Sequence, residues 1–113
     1  KIDSVPPLLF SLFRPSIQPY MISWMKYSPC AEIKKLTVPV LIIQGSQDYQ
    51  VQQSEGEALW ACNPQARFSL IPEMNHVLKR SPGNFAEDRA TYTQPALPIV
   101  QQLVTEIVSF IKK

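Results

Sequence analysis

Leu36-Thr37-Val38-Pro39-Val40-Leu41-Ile42-Ile43-Gln44-Gly45-Ser46-Gln47-Asp48 is the stretch on which the reading of the fold turns. From Val38 to Gln44 the apolar residues follow one another almost without a break. That is the pattern of a strand buried on both faces of a parallel sheet, not of a strand with one wet side. Pro39 has no N–H to give to a ladder, so it belongs near the strand's beginning. The turn Gly45-Ser46-Gln47-Asp48 comes next. A helix follows, with Ser54 as its expected cap, Glu57, Ala58, Leu59 and Trp60 in its body, and a stop before Asn63-Pro64. Arg67 to Ile71 reads as a second strand on the alternation of Ala66, Phe68 and Leu70. Strand, helix and strand at this spacing make a βαβ unit with parallel strands and a right-handed crossover.

Further along, residues 72–98 show no clear period and hold Pro72, Pro82, Gly83, Pro95 and Pro98. They are expected to be mostly loop, and a long loop in a compact domain is often functional. The last segment sets Ile99, Val100, Leu103, Val104, Ile107, Val108, Phe110 and Ile111 on one broad helical face. Pro98 stands at its start and Lys112-Lys113 at its negative dipole end, so it should pack on a sheet. In the first third, Ser4, Ser16 and Ser28 each precede a proline in capping position and predict three short helices. The middle one spaces Ile17, Tyr20, Met21, Trp24 and Met25 by threes and fours. This stripe either covers a core or lines an apolar pocket.

With 45% hydrophobic residues, the 113-residue chain has the material for one core. Its eleven basic and nine acidic residues leave a net charge of +2, and no basic run exceeds two residues. That balance argues against a nucleic-acid partner or a polybasic membrane anchor. Cys30 and Cys62 fit neither a C-x-x-C motif nor a zinc pattern and are expected as two free thiols, although one bridge stays open. No phosphate-cradling glycine loop and no other cofactor motif is present, which sets aside flavodoxin-like and thioredoxin-like readings. No stretch approaches the roughly 18 apolar residues of a membrane span. A soluble chain is expected, with cytoplasm and periplasm both open. The sequence enters at Lys1 directly into Ile2-Asp3-Ser4-Val5-Pro6-Pro7, which predicts that an upstream part of the polypeptide belongs with it.

Two polar residues follow the two strands: Asp48 lies four positions beyond Gln44, and His76 lies five beyond Ile71. Consecutive parallel strands bring both loops to the same carboxyl edge, where open α/β sheets assemble their sites. A carboxylate bonded to one imidazole nitrogen fixes the tautomer and stabilises the imidazolium formed when the other nitrogen takes a proton from a nucleophile. Asp48 and His76 are therefore the candidate catalytic residues, as acid and base. Asn75 is expected to shape the histidine turn or to touch substrate. Tyr20 and Trp24 are candidate substrate-lining residues.

At these residues the sequence resembles a known family. The stretch from Leu36 to Asp48 is similar to the strand and acid turn of α/β-hydrolases, where a PVLIIxGxxD pattern ends on the triad acid. Phe68-Ser69-Leu70-Ile71-Pro72-Glu73-Met74-Asn75-His76-Val77-Leu78-Lys79 resembles their last strand and histidine loop. The wording Met-Asn-His-Val-Leu-Lys looks like the serine-aminopeptidase-like, monoglyceride-lipase-like branch. The likeness covers roughly residues 28–113. It implies the C-terminal part of an α/β-hydrolase core there, with the last two parallel strands and their flanking helices. Residues 1–27 would be the end of a helical cap.

In that family the triad runs nucleophile, acid, histidine along the chain. Here acid precedes histidine, and none of Gly45, Gly56 and Gly83 stands in a Gly-x-Ser-x-Gly frame. The resemblance thus implies a fragment of a serine hydrolase acting on carboxylic esters or small amides. The N-terminal half of the fold, with nucleophile and oxyanion hole, would be its partner, and the chain alone would be inactive. The alternative from another class is a non-catalytic α/β interaction or assembly module. In either case an isolated chain with two strands has an uncovered apolar edge, which predicts a homo-oligomer, most simply a two-fold dimer.

Overall fold

The computed structural model describes residues 4–112 as a mixed α/β arrangement with two parallel strands flanked by helices. A 3-10 turn at Pro7–Leu9 leads into α1 (Phe10–Phe13), α2 (Gln18–Trp24) and α3 (Pro29–Ile33). Then come β1 (Leu41–Gly45), α4 (Gln53–Cys62), β2 (Arg67–Ile71), α5 (Phe85–Thr91) and α6 (Gln101–Ile111). β1 and β2 pair in register from Leu41 opposite Arg67 to Gly45 opposite Ile71. Strand β1 begins three residues later than the apolar run suggested. Val38 is exposed, and the ladder starts only beyond Pro39, which has no N–H to contribute.

Both faces of this small sheet are covered, by different helices. On one face Ile42 joins Ile33 of α3 and Ala66, with Leu59 of α4 and Phe68 packed against them. Gly56 lets α4 come close here, because a Cβ at that position would lie 2.9 Å from the Gln44 side chain. Trp60 stacks on Phe68 at 5.3 Å and donates its indole N–H to the Ala66 carbonyl at 2.8 Å. On the other face Ile71, Met74 and Leu103 of α6 form a second cluster with Ile43 and Val100. Arg67 reaches Glu106 of α6 across that face at 2.8 Å. Of the alternating set expected in β2, Ala66 is buried and Phe68 and Leu70 are half-buried, and Ser69 and Ile71 are buried as well, as follows when both faces are covered.

Several local expectations need correction. Ser28 does cap α3, accepting from the Ala31 N–H. Ser4 and Ser16 cap nothing: Pro6 and Ile17 hold those cap positions without a side-chain hydrogen bond. Ser54 lies inside α4, whose cap is Gln52 in a reciprocal box with Glu55. Within the expected loop 72–98 sits α5, capped by the Asn84 side-chain Oδ1 accepting from the Glu87 N–H at 2.8 Å. The apolar stripe of α2 covers no core. Tyr20, Trp24 and Met25 are exposed, and α2 makes no extensive packing contact with another element.

The largest correction concerns the cysteines. Cys30 and Cys62 form a disulfide, and no free thiol remains. Neither motif is needed, because α3 folds back onto α4 and brings the two Cα atoms within 5.3 Å, inside the range a bridge requires. The Asn63 amide donates to the Ile33 carbonyl at 3.3 Å and holds the same junction. Closing a loop across 32 residues contributes about 3 to 4 kcal/mol by the chain-entropy estimate. Cys62→Ser should therefore lose about 2 to 4 kcal/mol in urea titrations under oxidising conditions. Dithiothreitol should lower wild type to the same level, and a midpoint unmoved by either change would show that the bridge contributes nothing.

Candidate active site

The parallel register brings the ends of β1 and β2 side by side, and the two following loops are stitched together by main-chain contacts. Ser46 N–H donates to the Ile71 carbonyl and Gln47 N–H to the Met74 carbonyl, each at 3.0 Å. The Ser46 hydroxyl accepts from the Glu73 N–H at 2.9 Å, so this serine serves as a stitch. Gly45 makes the approach possible, since a Cβ there would fall 2.2 Å from the Met74 carbonyl oxygen.

Within this frame Asp48 divides its two oxygens. Oδ1 accepts from the N–H groups of Gln50 and Val51, both at 2.9 Å, closing a turn on its own backbone. Oδ2 lies 3.0 Å from His76 Nδ1. Gln44, buried at the end of β1, donates from its amide to the Val51 carbonyl at 2.8 Å and so fixes the far side of the same turn. Burial pushes the Asp48 carboxyl upward. The Val51 N–H, the His76 ring and the Gln50 N–H outweigh it, and the net pKa lies below the ordinary 3.8.

The histidine loop is tied just as firmly. Asn75 N–H donates to the Lys79 carbonyl and Leu78 N–H to the Asn75 carbonyl, each at 3.0 Å. Leu78 takes a positive φ of 64°, a conformation L residues rarely adopt, and its carbonyl accepts from the Val100 N–H at 2.9 Å. The His76 side chain is 40% exposed against 11% for Asp48. The carboxylate is thus the covered partner and the ring faces outward. Among the described residues nothing hydrogen-bonds to Nε2.

The structure therefore brings Asp48 and His76 together and sends the other candidates elsewhere. Asn75 is 1% exposed, with its side chain turned inward and all its hydrogen bonds made within the protein, so it offers a ligand no free group. Tyr20 and Trp24 sit edge to face at 4.7 Å on α2, and neither walls the cavity between the acid turn and α5. Nearby on the surface, Glu73 pairs with Arg80 at 2.7 Å, and the Lys79 ammonium donates to the Gln94 carbonyl. Between the acid turn and α5 lies a cavity of about 370 Å³ walled by Tyr49, Gln50, Phe85 and Tyr92, and neither Asp48 nor His76 lines it. Gln44 could have been noticed as the one polar residue in an apolar strand. Asp88 and Thr91, which meet Asn75, gave no signal in sequence.

Among the described residues no three His, Cys, Asp or Glu side chains converge to hold a metal ion, and no helix is long and apolar enough to cross a membrane. No family model, no curated protein and no solved structure matches the chain.

The depressed Asp48 pKa carries a sign. The stability it contributes is fully present above 3.8, the value regained on unfolding, and is lost as pH falls through the lower folded value. Asp48→Asn should leave a gap to wild type that stays level through neutral pH and closes only in the acid range below 3.8. Urea titrations across pH measure it; a gap already closing near neutrality would place the titrating group elsewhere.

Proposed function

We propose that this chain supplies the acid and the histidine of a serine hydrolase for carboxylic esters or small amides. The single observation that carries the reading is the 3.0 Å contact between His76 Nδ1 and Asp48 Oδ2 at the carboxyl edge of two parallel strands. The covered carboxylate holds the ring with its proton on Nδ1. Nε2 then presents its lone pair outward, where it can take a proton from a hydroxyl nucleophile and return it to the leaving group. The resemblance of residues 36–48 and 68–79 to the acid and histidine loops of α/β-hydrolases supports this assignment, with residues 28–113 as the C-terminal part of such a core. The nucleophilic serine and the oxyanion hole come from outside these 113 residues, since no serine here stands in a Gly-x-Ser-x-Gly turn.

The chain alone should hydrolyse p-nitrophenyl butyrate no faster than its His76→Ala variant. Joined to a segment bearing a Gly-x-Ser-x-Gly turn, it should turn over the ester, with Asp48→Asn lowering the rate by about 10⁴-fold. A His76-dependent rate in the chain alone, or an esterase indifferent to His76→Ala when joined, would sink the proposal.

A second reading, that of an assembly module, is favoured by one feature. Among the described residues the far edge of β1 carries no strand, and the apolar residues Ile42 and Ile43 line a cavity of about 570 Å³ with Leu59 and the disulfide. No proline or charge within Leu41–Gly45 guards that edge. A second copy paired through β1 about a two-fold axis gives a four-stranded sheet and closes it. Sedimentation velocity at micromolar concentration should show a dimer, whereas a monomer with a sharp thermal transition would rule the pairing out.

A further inference from the structure

The reaction proposed above makes no use of Asp88, yet its carboxyl is 2% exposed in the middle of α5. Burying such a group is costly unless its hydrogen bonds are specific. Its Oδ1 accepts from the Asn75 amide nitrogen at 2.8 Å, and the same nitrogen donates to the Thr91 hydroxyl at 2.7 Å. Thr91 in turn donates to the Asp88 carbonyl at 2.7 Å, and the Asn75 side-chain oxygen accepts from the Lys79 N–H at 3.0 Å. Both hydrogens and the oxygen of one amide are thus engaged, which leaves Asn75 a single orientation. Asn75 is joined by one peptide bond to His76. From the other side, α5 and the residue before its cap reach the acid turn: Tyr92 accepts from the Gln50 amide at 2.8 Å, and the Gly83 carbonyl accepts from the Tyr49 hydroxyl at 3.0 Å.

We infer that Asp88 is a positioning residue for His76, acting through Asn75, and that α5 is the brace holding the histidine loop in register with the acid turn. The inference rests on the reading of Asp48 and His76 as a working pair. His76 is the only histidine, so its ring nitrogens can be followed by ¹⁵N NMR without assignment ambiguity. At alkaline pH, where the ring is neutral, the ratio of the two tautomers reports whether Nδ1 keeps its proton against Asp48. Wild type should hold the Nδ1–H form, and Asp88→Ala should lower that ratio roughly fivefold, as expected from losing one buried hydrogen bond. Asp88→Asn keeps an acceptor for Asn75 and should retain the wild-type ratio. A merely structural role would leave the tautomer unmoved wherever the variant is folded by circular dichroism. If Asp88→Ala does not fold, Thr91→Val decides: it removes the second acceptor at constant shape and should shift the ratio in the same direction. An unchanged ratio in a folded Asp88→Ala, or in Thr91→Val when the alanine variant is unfolded, overturns the role of Asp88 and leaves the pair intact. A wild-type ratio equal to that of free histidine overturns the pair itself and the brace with it.

Discussion

The close passage of Gly45 over the Met74 carbonyl is the constraint on which the site depends. Two parallel strands end level with one another there, and the chain leaving each must turn without colliding with its neighbour. With no side chain at Gly45 the loops approach closely enough for Gln47 to donate to that same carbonyl, and for Ser46 to bind both the Ile71 carbonyl and the Glu73 N–H. Three short contacts thereby fix the distance between two segments some thirty residues apart. The carboxylate and the imidazole meet as a consequence of that spacing, and neither has to reach for the other.

Holding the two loops together also settles the electrostatics. Asp48 is covered, and a covered carboxylate without donors would favour its neutral form. Two backbone N–H groups spend themselves on Oδ1 and leave Oδ2 for the ring, so one turn both stabilises the charge and aims it. Gln44 keeps that turn from relaxing by binding the Val51 carbonyl from beneath. The division of labour between the two oxygens is what makes Asp48 a fixed acceptor and not a mobile surface charge.

The βαβ unit and the meeting of Asp48 with His76 were legible because both follow from patterns that act over short distances. These are an apolar run with Pro39 at its head, a turn after Gly45, and the rule that parallel strands share a carboxyl edge. What escaped the sequence depends on contacts between distant segments. The pairing of Cys30 with Cys62 needs α3 to lie on α4, which no spacing announces. Asn75 looks like any turn residue until α5 places Asp88 and Thr91 against it. Helix α5 itself is only seven residues long, too short for periodicity to show, although Asn84 followed by Glu87 three positions later is a capping signal that could have been read. The exposed stripe on α2 illustrates the reverse failure: helical spacing of apolar residues forecasts a buried face only where another element is there to bury it.

The disulfide divides the molecule in a way its position in the chain does not suggest. The ring it closes, residues 30–62, contains β1, the acid turn and α4, whereas β2, the histidine loop, α5 and α6 all lie outside it. Asp48 lies inside the closed ring, whereas the arm beyond residue 62, which carries His76, has no second covalent link to it. The seam between these two parts runs between Asp48 and His76. The contact between Asp48 and His76 is thus made across the boundary between a covalently closed ring and an open arm.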